Sequence, residues 1–436
     1  PSWLILIHSS ALHGSAAKAN NELANYYRLS PNITANTADF DTTWSLFFAV
    51  INHSNTLINK TVLPENADQA KKFEEVLGEA YFLRGLSYFY LVRMYGDVPL
   101  ILAETDASTY MPRTAVAEIY DQAIIPSLKK AVEILPAKSR SGFSSTPSKW
   151  AAEACLADAY MTMAGWPLKR GQEYYSLAAA AAKDIIDNSG LYLTEEYAEL
   201  WKEANKAQPN EVMFAIHHNA KMKTASNYGK SYYPSDFAPN AGWSDYYANE
   251  SFFLNYPDDA RKEWNYMTEW ETKNGHVTYK ESADKLPAIS KYYDYDNGAP
   301  GKSAQANGIT CIYRYADVLL MYAEASTRAT NSVNAQALDA IQKVQKRAGY
   351  AQDQLTTTTD PTAFTTAVFN ERGWEFFAEM KRWFELVRLE KVSEVRAETW
   401  NGSLFQSNNH YYFPIPYQQI RLTQWTNNAC PGIPGR

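Results

Sequence analysis

The chain has 436 residues, of which 46% are hydrophobic and 20% charged, enough to bury a large core and too apolar for a disordered chain. Its net charge is −7, and its lysines and arginines are spread along the chain, so it lacks the basic stripe from which nucleic-acid binding draws its affinity. Three distant cysteines, Cys155, Cys311 and Cys430, form neither a disulfide framework nor a metal spacing, and Cys155, within WAAEACLADAY, is expected to be a buried, inert thiol.

The opening PSWLILIHSS holds an apolar run at 3–7 that is too short to span a bilayer and lacks a basic flank. Trp44, Phe47, Phe48 and Ile51 then recur at helical spacing, which predicts a helix over about 40–60 with Asp41 or Thr42 as its cap and Trp44 in the core. A second helix is predicted over 69–95, stopping at Gly96 before an extended Val98–Pro99, and the two make a helical hairpin. The stretch 114–135 is helical with a bend or break at Pro126, and Pro136 ends it. KWAAEACLADAYMTMAG and SLAAAAAKDIIDNSG are alanine-rich, so two helices can approach closely there; YRYADVLLMYAEASTRA and VNAQALDAIQKVQKRAG read as another pair. Such pairs, with a period in the mid-thirties, predict a mostly α fold on a degenerate tetratricopeptide-type helical-repeat scaffold.

Between about 191 and 311 the helical period fades. NEVMFAIHHN alternates as a short strand does, and 221–295 is crowded with Tyr, Trp, Asn, Asp, Gly and Pro, which predicts a long loop-rich excursion with a few short strands. The organisation expected is one domain over 1–436: a scaffold at about 40–190 and 312–390, the excursion at 191–311, and an irregular C-terminal segment at 391–436. A last long helix is predicted over 364–390. Within it, ERGWEFFAEMKRWFELVR at 371–388 carries two apolar lines, one through Phe376, Met380, Trp383 and Val387 and one through Trp374, Phe377, Ala378 and Phe384. Glu371, Glu375, Glu379 and Arg382 run along the remaining ridge, so the segment reads as a helix wedged between two others whose charges pair with each other or with a neighbour.

Four of these blocks resemble the signature blocks of the SusD/RagB family, in that family's order and spacing: GEAYFLRGLSYFYLVRMYGDVPL at 78–100, YRYADVLLMYAEA at 313–325, ERGWEFFAEMKRWFELVR at 371–388 and YFPIPYQQI at 412–420. The resemblance covers nearly the whole chain. It implies a surface-exposed outer-membrane lipoprotein of Bacteroidetes that captures a nutrient and sits as a lid on a TonB-dependent transporter, with the 371–388 block and the arginine of YFLRGL as framework. Contact with the membrane is expected only through an N-terminal lipid anchor. The sequence departs from the family pattern in its opening residues and in ending NNACPGIPGR.

A glycan is held by exposed aromatic faces with polar side chains at the hydroxyl rim, and PNAGWSDYYANESFFLNYPDD at 239–259 has that composition. The leading stacking candidates are Trp243, Tyr246 and Tyr247, followed by Trp264, Trp270, Tyr292 and Tyr293; Asn240, Asp245 and Asn249 are the rim candidates. The resemblance adds Tyr110, in the loop after the VPL element, and admits a peptide as well as a glycan ligand. The alternative is a glycoside hydrolase, whose carboxylate pair would come from Asp245, Glu250, Asp258, Asp259, Glu269 and Glu271. No residue pair stands out, and Asp258 with Asp259 reads more simply as the start of a helix. His217 and His218, adjacent on a strand, point to opposite faces, and DYDNG at 294–298 lacks the closing glutamate of a calcium loop, so neither a metal nor another cofactor is expected.

Overall fold

The computed structural model describes residues 14–16, 35–36, 38–104, 111–207, 210–238, 241–293, 307–392, 394 and 411–423. Tyr110, Asn240, Cys430, the DYDNG run and the last thirteen residues lie outside these.

The first hairpin forms as its periodicity predicts, from α1 (Ala38–Lys60) and α2 (Ala67–Tyr95). Because α1 starts before Asp41, neither Asp41 nor Thr42 caps it. Asn66 caps α2, its side chain accepting the Gln69 N–H at 3.0 Å, and Gly96 at φ 72 ends the helix. Trp44 is buried, as expected. Arg84, from YFLRGL, ties three segments together by donating to Asn55 of α1 and to Ser127, each at 3.0 Å.

The chain then runs from a helical turn at Val116–Ile119, through a π turn at Tyr120–Ile124, into α3 (Ile125–Ile134). The π turn accounts for Pro126: widening the helix by one residue relieves the clash and the missing donor that a proline brings, so the helix continues past it. It is followed by α4 (Lys149–Ala164), α5 (Gln172–Asn188), α6 (Tyr315–Thr330), α7 (Ala335–Ala348), α8 (Pro361–Glu375) and α9 (Arg382–Arg388). Each helix from α1 to α7 packs on the next, α5 on α6 included, although the whole excursion separates those two in sequence; α8 packs on α6 and α7. Close approach depends on small residues. A Cβ on Gly85 would stand 2.9 Å from Leu128, and Ala151, Ala152, Ala154, Ala178 and Ala182 are fully buried between α4, α5 and their neighbours. Each large apolar side chain buried here contributes about 1.5–3 kcal/mol.

Strands are short and pair two by two. β1 (Gly14–Ala16) pairs with β5 (Tyr246–Ala248), β2 (Val98–Pro99) with β3 (Arg113–Thr114), β4 (Val212–His217) with β10 (Ile309–Arg314), β6 (Tyr266–Met267) with β9 (Ala288–Ile289), and β7 (Glu269–Thr272) with β8 (Gly275–Thr278). The β4–β10 ribbon joins the outgoing and returning arms of the excursion. Tyr313 and Arg314, read from the sequence as the start of a helix, end β10 instead.

The largest departure from the sequence reading is at 364–390, where one continuous helix was expected. The chain leaves the helix after Glu375, turns through positive φ at Ala378 (57°) and Met380 (64°), and re-enters it at Arg382. Both positions are costly for L-residues. The compensation comes from the excursion: the carbonyls freed by the break are taken up by Tyr256 Oη (on Trp374, 2.5 Å), Lys291 Nζ (on Phe377, 2.6 Å) and Tyr292 Oη (on Ala378, 2.8 Å), while Arg314 donates to the Glu375 carbonyl at 2.8 Å.

The charged ridge is buried and paired. Arg261 meets Asp259, Glu371 and Glu375 at 2.7, 2.5 and 3.0 Å; Arg314 meets Glu211 and Glu379 at 2.8 and 2.9 Å and also Glu375; Arg347 joins Glu211 at 3.1 Å and Glu375; Lys291 meets Glu379 at 2.7 Å. Burial alone would raise the Glu375 carboxyl, yet the three guanidiniums of Arg347, Arg314 and Arg261 hold it far below its ordinary value. Burial lowers the Lys291 ammonium to about 8, with Glu379 opposing the shift. The excursion is therefore moored to the helical frame through a dry network of charges, with the broken end of α8 at its centre.

Candidate functional site

The best-exposed tryptophan described in the excursion is Trp243, 42% exposed. Its loop is held by its own backbone. The short helix Tyr228–Tyr232 leads into Pro234, and the returning strand donates back from Gly242 to the Pro234 carbonyl (2.9 Å), from Trp243 to Lys230 (2.7 Å), from Ser244 to Tyr233 (2.9 Å) and from Asp245 to Ser231 (2.9 Å). Gly242 is required where the two arms touch, since a Cβ there would stand 2.2 Å from the Tyr233 carbonyl oxygen. Ser244 holds φ at 54°, and its hydroxyl accepts the Ser235 N–H at 2.7 Å. Lys230 places its ammonium 4.8 Å from the Trp243 ring centroid.

A small separate core braces this loop. Tyr233, Met267, Trp270 and Ala288 are buried together, with Phe237 and Tyr293 packed against them; Tyr233 lies 5.3 Å from Phe237 and 4.8 Å from Tyr293, ring to ring. Phe237 bridges to Thr272, and Ala238 donates to the Glu271 carbonyl at 2.8 Å, so the loop extends the β7–β8 hairpin by one edge. On the solvent face of that hairpin, His276 sits 3.0 Å from Glu271 and 3.6 Å from Glu269, and the Glu271 hydrogen bond raises its imidazole above the usual value.

The structure distributes the other candidates unevenly. Trp270 is buried, its indole N–H donating to Asp236 at 3.0 Å. Tyr246 and Tyr247 are buried in β5: the Tyr246 ring packs at 5.8 Å on Tyr232, and the Tyr247 hydroxyl donates to Asp284. Tyr292 is buried against Tyr228 and Trp201, and its hydroxyl is fixed on the broken helix; burial raises its phenol. These four rings have their faces in protein: Tyr246, Tyr247 and Trp270 lie in paired strands, and polar partners fix Trp270, Tyr247 and Tyr292. Trp264 and Tyr293 are half-buried, and the Trp264 indole donates to the Lys291 carbonyl at 3.2 Å. Asn249 is buried as the cap of the helix Glu250–Leu254, accepting the Phe252 N–H at 3.0 Å, and Asp245 is half-buried. Sequence reasoning missed Lys230, Asp236 and Phe237, which precede the aromatic stretch; Gly242, beside Trp243, was the available sign of a close backbone approach.

Three of the carboxylates proposed for hydrolysis have partners within the fold. Asp259 caps the helix Ala260–Asn265, as its position after Pro257 predicted, and holds Arg261. Glu269 and Glu271 flank His276, and Glu250 and Asp258 are exposed. His217 and His218 contact separate partners, Ser144 at 2.8 Å and Thr310 at 2.7 Å. Burial pushes the Cys155 thiol up to about 12, in keeping with an inert residue.

Two family models match the chain, one described as starch-binding associating with outer membrane over residues 7–161, the other as the SusD family over 228–427. SusD-like protein P2 of Formosa agariphila is 28% identical over 434 residues, spanning 90% of this chain and 80% of that protein. A SusD superfamily protein from Parabacteroides distasonis shares the fold at a TM-score of 0.83 and 23% identity, over 97% of this chain and 91% of that one. A structure solved with xylogluco-oligosaccharide shares it at 0.80 and 20% identity, over 97% and 93%. With its helical-repeat frame, its charge-moored excursion and matches to both family models, the chain belongs to the SusD/RagB family.

Proposed function

We propose that this chain is a glycan-binding protein of the outer-membrane surface, lipid-anchored, that captures an oligosaccharide on the Trp243 loop and passes it intact to a TonB-dependent transporter. The observation that carries the reading is the exposed Trp243 ring on a backbone-tied loop, in a fold shared with a structure solved with xylogluco-oligosaccharide. An indole offers a flat apolar face to the C–H face of a pyranose, and a fixed loop presents it with little ordering cost on binding. Tyr293, tied to the same loop through Tyr233, and Asp245 flank the platform in this reading. No described helix is long and apolar enough to cross a membrane, so in this reading membrane contact falls to the anchor.

Equilibrium dialysis against neutral oligosaccharides and short peptides, with chromatography of the recovered ligand, tests the reading. Enrichment of an intact oligosaccharide, weakened about tenfold or more by Trp243→Ala with folding retained, supports it. Shortened products would establish hydrolysis instead, and enrichment of peptides alone would move the family role to a peptide ligand.

A further inference from the structure

The cation over Trp243 carries a consequence for ligand class. Lys230 is half-buried, its ammonium lies 4.8 Å from the indole centroid, and among the described residues no carboxylate pairs with it. Asp236, on the adjoining turn, is engaged by the Trp270 indole N–H. Lys230 also closes a stretch, 220–230, that reads AKMKTASNYGK: three lysines and no carboxylate, on a chain whose net charge is −7. An ammonium over an exposed aromatic face is held only weakly by the ring. It is therefore free to leave that position for a stronger partner, and a charge-assisted hydrogen bond to an anion is the stronger of the two interactions.

We propose, building on the capture reading above, that Lys230 makes the Trp243 platform selective for saccharides bearing a carboxylate group. Trp243 is 42% exposed with the ammonium 4.8 Å from its ring centroid, so a pyranose stacked on the exposed part of the indole brings its exocyclic substituent within the sweep of the four-carbon lysine stem. A neutral hydroxymethyl group there gains one ordinary hydrogen bond; a carboxylate gains a charged one and neutralises an ammonium that no carboxylate among the described residues pairs with. Trp243 supplies affinity for any sugar face, and Lys230 supplies the discrimination.

Matched ligands provide the test. Oligogalacturonate, oligoglucuronate and oligomannuronate are each compared by calorimetry with their own methyl esters, which keep ring and linkage and remove the charge, using the intact protein, Lys230→Met and Lys230→Arg. The expected result is that at least one acid binds about tenfold more tightly than its ester at low salt. The preference should shrink as salt rises, vanish in Lys230→Met, where the acid loses far more affinity than its ester or a neutral oligosaccharide, and persist in Lys230→Arg. Equal binding of every acid and its ester, a preference that survives Lys230→Met, or binding of neutral oligosaccharides alone would overturn the proposal. The last of these leaves the capture reading standing, whereas absence of binding to acids, esters and neutral oligosaccharides alike sinks both.

Discussion

Lys291 reaches Glu379 at 2.7 Å while donating to the Phe377 carbonyl at 2.6 Å, so one buried ammonium both neutralises a carboxylate and caps a broken helix. Glu379 also receives Arg314 at 2.9 Å. Glu379→Gln is therefore expected to leave two buried cations undercompensated, at a cost of about 3–5 kcal/mol, read as a lowered urea midpoint. The double substitution Lys291→Met with Glu379→Leu should cost less than the sum of its parts, and additivity would show that the two side chains do not act as a pair.

A second titrating site lies between α4 and α5. Burial, reinforced by the charge of Asp184, raises the Glu153 carboxyl from 4.5 to about 7. For an acid shifted upward the protonated form is the one the fold favours, so this stability is present below pH 4.5 and lost as pH rises through 7. Glu153→Gln, with no proton to lose, should be more stable than the parent at pH 8 by about 1–2 kcal/mol once solvent screening is discounted. Melting curves at pH 4.5 and 8 should converge at the acid end; a constant offset would rule the carboxyl out as the cause.

His276 gives the opposite sign. Its imidazole is raised by Glu271 and Glu269, so the favourable pairing is fully present below pH 6.5 and fades as pH climbs through the raised value. In an NMR titration the His276 ring protons should report a midpoint above 6.5, and Glu271→Gln should move it downward. An unchanged midpoint would mean that the hydrogen bond to Glu271 is not the source of the shift.

The loop can be probed without touching the ring. Gly242→Ala puts a methyl group 2.2 Å from the Tyr233 oxygen, so the arms must part and Trp243 must shift. Oligosaccharide binding should fall at least about tenfold while far-UV circular dichroism is retained, because the helical frame does not pass through this contact. Unimpaired binding would show that the platform does not depend on this loop geometry.

The helical frame was legible in the sequence because its signals are local. Gly96 marks the end of α2, and alanines mark where α4 and α5 meet, each by rules that need no distant partner. The break after Glu375 was not legible: the apolar and charged periods run straight through Ala378 and Met380, and what bends the chain is a set of donors, Tyr256, Lys291, Tyr292 and Arg314, that arrive from far away in sequence. The aromatic candidates failed to sort for a related reason. Composition marks Tyr246, Tyr247, Trp270, Tyr292 and Trp243 alike, and only tertiary partners decide which rings turn inward.

The contact between α5 and α6 has an evolutionary corollary. Since the two helices stack directly and β4 pairs with β10, everything between them hangs from a closed gate, as an insertion does in a solenoid. Loop-closure entropy grows only logarithmically, by about 0.6 kcal/mol for each doubling in length, so the inserted portion can lengthen, shorten or be recoded while the stacking beneath it stays intact. The charged part of the mooring rests on four residues of the excursion and its closing strand: Arg261, Lys291 and Arg314, which meet Glu375 and Glu379, and Glu211, which pairs with Arg314 and Arg347 beside them. A graft that carries those four onto a related frame would transplant ligand preference as a cassette.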